Sequence, residues 1–86
     1  MEEYFIAVFK SRTQTLKFYD VLRQNGVCAG IINTPRQVSL GCGLSVKFFT
    51  QNLSFVKRFL TLDNYYSYGG LFLASNEGNN LKIRPV

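Results

Sequence analysis

The sequence predicts an α+β domain of the split βαβ (ferredoxin-like) kind, in the order β-α-β-β-α-β. Four antiparallel strands would form one sheet, with both helices on one face and a short C-terminal tail beyond it. Three observations predict this. Residues 4–9 (YFIAVF) and 27–32 (VCAGII) are short apolar runs of strand length. Two stretches, near residues 11–25 and 50–62, space their apolar residues for a helix. Glycine, proline and polar clusters separate these runs in alternating order.

Each element has its own grounds. Residues 4–9 are apolar on both sides of the pleat, which suits a central strand buried on both faces. Ser11 followed by Gln14 fits a capping box and starts the first helix. Leu16, Tyr19 and Leu22 then share a face, widened by Phe18 and Val21. Gly26 ends the helix as its left-handed residue, with Val27 as an apolar clasp. Residues 27–32 form the second strand, with Cys28 expected inside it as a buried structural thiol.

Pro35 interrupts the connection that follows. Residues 44–49 (LSVKFF) alternate as a third strand that can pair antiparallel with the second. Thr50 is the expected N-cap of the second helix, whose apolar face is Leu53, Val56, Phe59 and Leu60. Residues 65–74 read as a strand in which Gly69-Gly70 marks either a bend or a hairpin turn. Residues 75–80 read as a polar loop, and 81–86 as a short edge strand where Pro85 is tolerated.

The 86 residues make one domain, 1–86, with no internal linker or repeat. A core of that size is thin, which leaves room for an exposed apolar face or a homo-oligomer. A hydrophobic fraction of 47% is that of a packed domain. The net charge of +5 comes from ten scattered basic residues against five acidic ones. That pattern fits a basic soluble protein better than a nucleic-acid footprint. No apolar run approaches the about 20 residues of a membrane span. Met1-Glu2-Glu3 lacks the positive start of a secretory signal, so a reducing cytoplasm is the expected location. With no histidine, most zinc sites and the Ser-His-Asp and Cys-His arrangements are excluded within one chain. No cofactor is implied.

Chemistry is expected in the connection 34–45 (TPRQVSLGCGLS), with Cys42 at its centre. A thiol reacts as its thiolate. Gly41 and Gly43 let backbone amides approach the sulfur and leave room for a second chalcogen atom. Arg36 supplies a nearby positive charge, and Ser39 and Ser45 can donate hydrogen bonds. The plain alternative is a bulge with a small side chain tucked in. Cys28 and Cys42 lack the C-x-x-C spacing of a redox pair. Of Tyr65, Tyr66 and Tyr68, at least one is expected to pack in the core.

Residues 4–73 resemble the small bacterial selenium/sulfur carrier-like proteins, formerly a domain of unknown function. The resemblance lies in the first strand and helix, Gly26, Thr34-Pro35-Arg36, Ser39 and Cys42-Gly43-Leu44-Ser45. Gly41 stands where the resemblance leads one to expect a serine more often. The resemblance implies a compact α+β domain in which Cys42 accepts sulfur or selenium as a persulfide or selenosulfide. Donor and acceptor proteins would be its partners, and it would be a carrier rather than a stand-alone enzyme. The alternative is a non-catalytic ligand-sensing or protein-interaction module, with fold-level analogy as its ground. RNA binding ranks last, since the aromatic signature of RNA-binding sheets is missing.

Overall fold

The structure is a computed structural model, and it describes residues 2–38 and 41–86. Strand β1 spans Glu2–Phe9 and helix α1 Arg12–Gln24. Strands β2 and β3 follow at Ala29–Asn33 and Leu44–Phe48. A 3-10 turn at Thr50–Asn52 leads into α2, Leu53–Leu62. Strands β4 (Tyr68–Glu77) and β5 (Asn80–Pro85) complete the chain.

All pairings are antiparallel, in the order β2-β3-β1-β4-β5. The first four strands keep the order of the split βαβ plan, with β1 at the centre. Among the described residues the sheet has five strands, not the expected four: β5, the stretch read as a short edge strand, joins the sheet. Residues 75–80 are not a loop: β4 runs through Glu77, the chain turns at Gly78 (φ +64°), and β5 pairs from Asn80 to Pro85. An edge hairpin is half solvated, so its polar composition suits a strand as well as a loop. Gly69-Gly70 is a bend, not a turn: the register between β1 and β4 shifts where Val8 faces Gly70 and Phe9 faces Tyr68.

Two apolar clusters clamp β1. Phe5, Ala7 and Phe9 pack with Phe18 and Leu22 of α1 and Val56 of α2, so both helices cover one face. Tyr4, Ile6 and Val8 form the other cluster with Ala74 and with Val38 from the connection after β2. The ring of Phe9 lies 5.4 Å from each of Phe18 and Tyr65, centroid to centroid.

Local chemistry sets the helix ends. Ser11 caps α1, its hydroxyl accepting from Gln14 N–H at 3.2 Å. The return half of the capping box is diverted. Gln14 is buried, and its Oε1 accepts from both the N–H and the hydroxyl of Ser67. Ser11 N–H donates instead to Ser67 Oγ at 3.1 Å. These bonds tie the start of α1 to the segment before β4. At the other end Gly26 takes φ +79°, and Val27 N–H donates to Leu22 O at 2.9 Å.

Some faces turn differently from expectation. The buried stripe of α1 is Gln14, Thr15, Phe18 and Leu22, and Leu16 is exposed. The aromatic cluster around Phe9 draws Phe18 inward and rotates Leu16 out. Thr50 opens the 3-10 turn and does not cap α2, whose N-terminus has no side-chain cap. Cys28 is exposed, which corrects its assignment as a buried thiol. Val27 turns inward against Leu22, so the next side chain points out, and β2 starts only at Ala29.

Candidate functional site

The connection between β2 and β3 is pinned at several points. Val38 N–H donates to Pro35 O at 3.0 Å, closing a turn around Arg36 and Gln37. Gln37 Nε2 donates to Leu81 O of β5 at 2.8 Å. Thr34 N–H donates to Gly43 O at 2.9 Å, and Cys42 N–H donates to Phe9 O at 3.2 Å. The last bond sets the cysteine beside the end of β1. Gly41 (φ +99°) and Gly43 (φ +91°) bracket it in left-handed conformations that few other residues adopt.

This backbone places the half-buried Cys42 against α1. Its Sγ lies 3.5 Å from Thr15 Oγ1 and 3.7 Å from Leu44 O. Thr15 is wholly buried within the second turn of the helix. Burial pushes the Cys42 thiol up. Hydrogen bonding from the Thr15 hydroxyl and from the backbone of Leu44 and Cys42, with the Arg12 charge, pulls it down further, to a net value below that of an ordinary thiol. The sulfur is thus partly exposed and more readily ionised than an ordinary thiol.

The other residues expected at the site are placed as follows. Gly41 and Gly43 flank the cysteine. Arg36 is exposed at the turn, and the guanidinium that acts on the sulfur is that of Arg12. Ser45 is buried, and its hydroxyl lies 2.6 Å from Thr34 Oγ1. It pairs with Val8 and Ile32, on the sheet face away from the helices, whereas Cys42 meets the helix side. Ser39 lies outside the described residues.

Two contributors escaped sequence reasoning, Thr15 and Arg12. One signal was available: Thr15 stands in a stripe with Phe18 and Leu22 at helical spacing, and a buried hydroxyl needs a partner. Cys28 is no partner for Cys42. It follows the C-terminal end of α1 while Cys42 meets the N-terminal part, on the order of 15 Å apart by helix rise. A disulfide cannot span that gap. Tyr65 is in the aromatic core, while Tyr66 and Tyr68 are exposed. Among the described residues, no helix is long and apolar enough to cross a membrane.

A family model described as "Putative Se/S carrier protein-like" matches residues 3–72. The chain belongs to this Se/S carrier-like family. The matched region of the Se/S carrier-like domain runs from β1 into β4. It includes Arg12, Thr15 and Cys42, and it leaves β5 outside. No curated protein and no solved structure matches the chain.

Proposed function

We propose that this domain carries sulfur or selenium on Cys42, between a donor protein and an acceptor protein. The Cys42 thiolate attacks the terminal sulfur of a donor persulfide. A new S–S bond forms, the donor's S–S bond breaks, and the donor leaves as a thiolate. With a selenium donor the product is the selenosulfide. An acceptor nucleophile then attacks the outer chalcogen, and Cys42 departs as a thiolate. A thiol of lowered pKa serves both steps, being ionised for attack and a good leaving group afterwards. Neither step needs a histidine from this chain, and a reducing cytoplasm keeps the thiol free.

The observation that carries the reading is the position of the Cys42 sulfur, half-buried between Thr15 and Leu44 with Arg12 near it. Membership in the Se/S carrier-like family supports it. The test is intact-mass and peptide mass spectrometry after incubation with a cysteine desulfurase and cysteine. One added sulfur on Cys42, absent from the Cys42→Ser variant, is expected. Modification of Cys28 alone, or of neither thiol, overturns the reading and leaves the ligand-sensing or interaction module in its place.

A further inference from the structure

Thr15 Oγ1 has two partners and one hydrogen. It lies 3.0 Å from the carbonyl oxygen of Ser11, four residues back in the helix, and 3.5 Å from Cys42 Sγ. The first contact alone is a common habit of threonine in helices and would be purely local. The second crosses from helix to connection, over 27 positions of sequence. Thr15 is wholly buried, so water cannot replace either partner.

The two protonation states of the thiol require different arrangements. While Cys42 holds its proton, the S–H points at Leu44 O or at Thr15 Oγ1, and Thr15 donates to Ser11 O. Once the proton has left for solvent, the sulfur can only accept. The Thr15 hydrogen then has an anion 3.5 Å away that outbids a neutral carbonyl. Ser11 O is not stranded, because it still accepts the helical N–H of Thr15 at 3.0 Å. The rotation therefore exchanges one hydrogen bond for a stronger one and leaves Ser11 O with its helical donor, while Leu44 O gives up the S–H.

We propose that Thr15 is a positioning residue for the thiol, its hydroxyl hydrogen turning from the Ser11 carbonyl to the Cys42 sulfur when the thiol ionises. Arg12, one helical turn earlier, is the charged group of the described residues that acts on the same sulfur. On the β1 side the Phe9 carbonyl accepts from Cys42 N–H at 3.2 Å, and on the β3 side the Leu44 carbonyl oxygen lies 3.7 Å from the sulfur. The purpose of this device rests on the carrier reading, but its existence does not.

The test is the ultraviolet thiolate titration of Cys42, in a Cys28→Ser background so that one thiol reports. Thr15→Val keeps the shape of the side chain and removes the hydroxyl. It is expected to raise the midpoint and lower the thiolate fraction at neutral pH about tenfold, the loss of one hydrogen bond to a charged group. Thr15→Ser restores the hydroxyl and is expected to titrate like the parent. Should Thr15→Val fold poorly, Thr15→Ser is compared with Thr15→Ala, which lacks the hydroxyl in a smaller side chain. A hydroxyl-free variant that is folded, by circular dichroism, and titrates like the parent overturns the proposal. Because no chalcogen donor is present, that result would leave the carrier reading standing. A failed sulfur-loading experiment would likewise leave this one untouched.

Discussion

Val8 blocks any side chain at position 41. A Cβ on Gly41 would stand 2.8 Å from Val8 Cγ1 and 3.1 Å from the Phe9 carbonyl oxygen, on a backbone already at φ +99°. Val8 is fully buried in the central strand and has nowhere to move. The serine expected more often at this place in the family therefore does not fit this chain as it is built. Gly41→Ser is expected to destabilise by about 1–3 kcal/mol from crowding, in addition to the backbone strain. Gly43→Ser meets open space at φ +91° and is expected to show the strain alone. Urea denaturation of the two variants side by side checks the difference. Equal losses would mean that Val8 does not confine the site.

The bonds between Gln14 and Ser67 hold the first turn of α1, and hence the wall of the thiol site. Ser67→Ala removes the acceptor of Ser11 N–H and one of the two donors to Gln14 Oε1. With Gln14 buried, the expected cost is about 1–3 kcal/mol. Thermal or urea unfolding measures it. A loss within experimental scatter would show that water satisfies these groups.

The lowered thiol also makes stability depend on pH. Below the ordinary thiol value the unfolded chain keeps the Cys42 proton, while the folded chain begins to lose it at lower pH. Between the two values the unfolded state binds more protons, so stability rises with pH across that window. The contribution is fully present above the ordinary thiol value, and it disappears as pH falls through the folded one. Comparing the urea midpoint of Cys28→Ser with that of Cys28→Ser/Cys42→Ser, from neutral to alkaline pH, isolates it. The gap is expected to shift in favour of Cys42 as pH rises, and a shift the other way contradicts the assigned direction.

Much of the frame was legible before the structure. The all-apolar run of β1 announced a central strand, and Ser11 and Gly26 announced the ends of α1, because each of those signals is local. What was not legible depended on space. Arg12 and Thr15 reach Cys42 only because the end of β1 and the connection meet, through the bond from Cys42 N–H to Phe9 O. Ser45 looked like a neighbour of the sulfur by sequence distance. With Gly43 at positive φ between them, simple alternation no longer tells which face each occupies, and Ser45 bonds to Thr34 on the far side. The edge strand at the C-terminus was legible, but the run of β4 through Glu77 was hidden because residues 75–80 are as polar as a loop, although Gly78 turns them into a hairpin.

Two thiols of one chain compete for the same electrophile. Cys28 is exposed and Cys42 is half-buried, so access alone favours Cys28, while the ring of Thr15, Leu44 and Arg12 favours Cys42. The direct measurement is brief alkylation of the native protein with limiting iodoacetamide below neutral pH, read for each cysteine by peptide mass spectrometry. There the thiolate fraction outweighs the weaker intrinsic nucleophilicity of a low-pKa thiol. Cys42 is expected to be modified first, despite its burial. Cys28 modified first under these conditions would contradict the account.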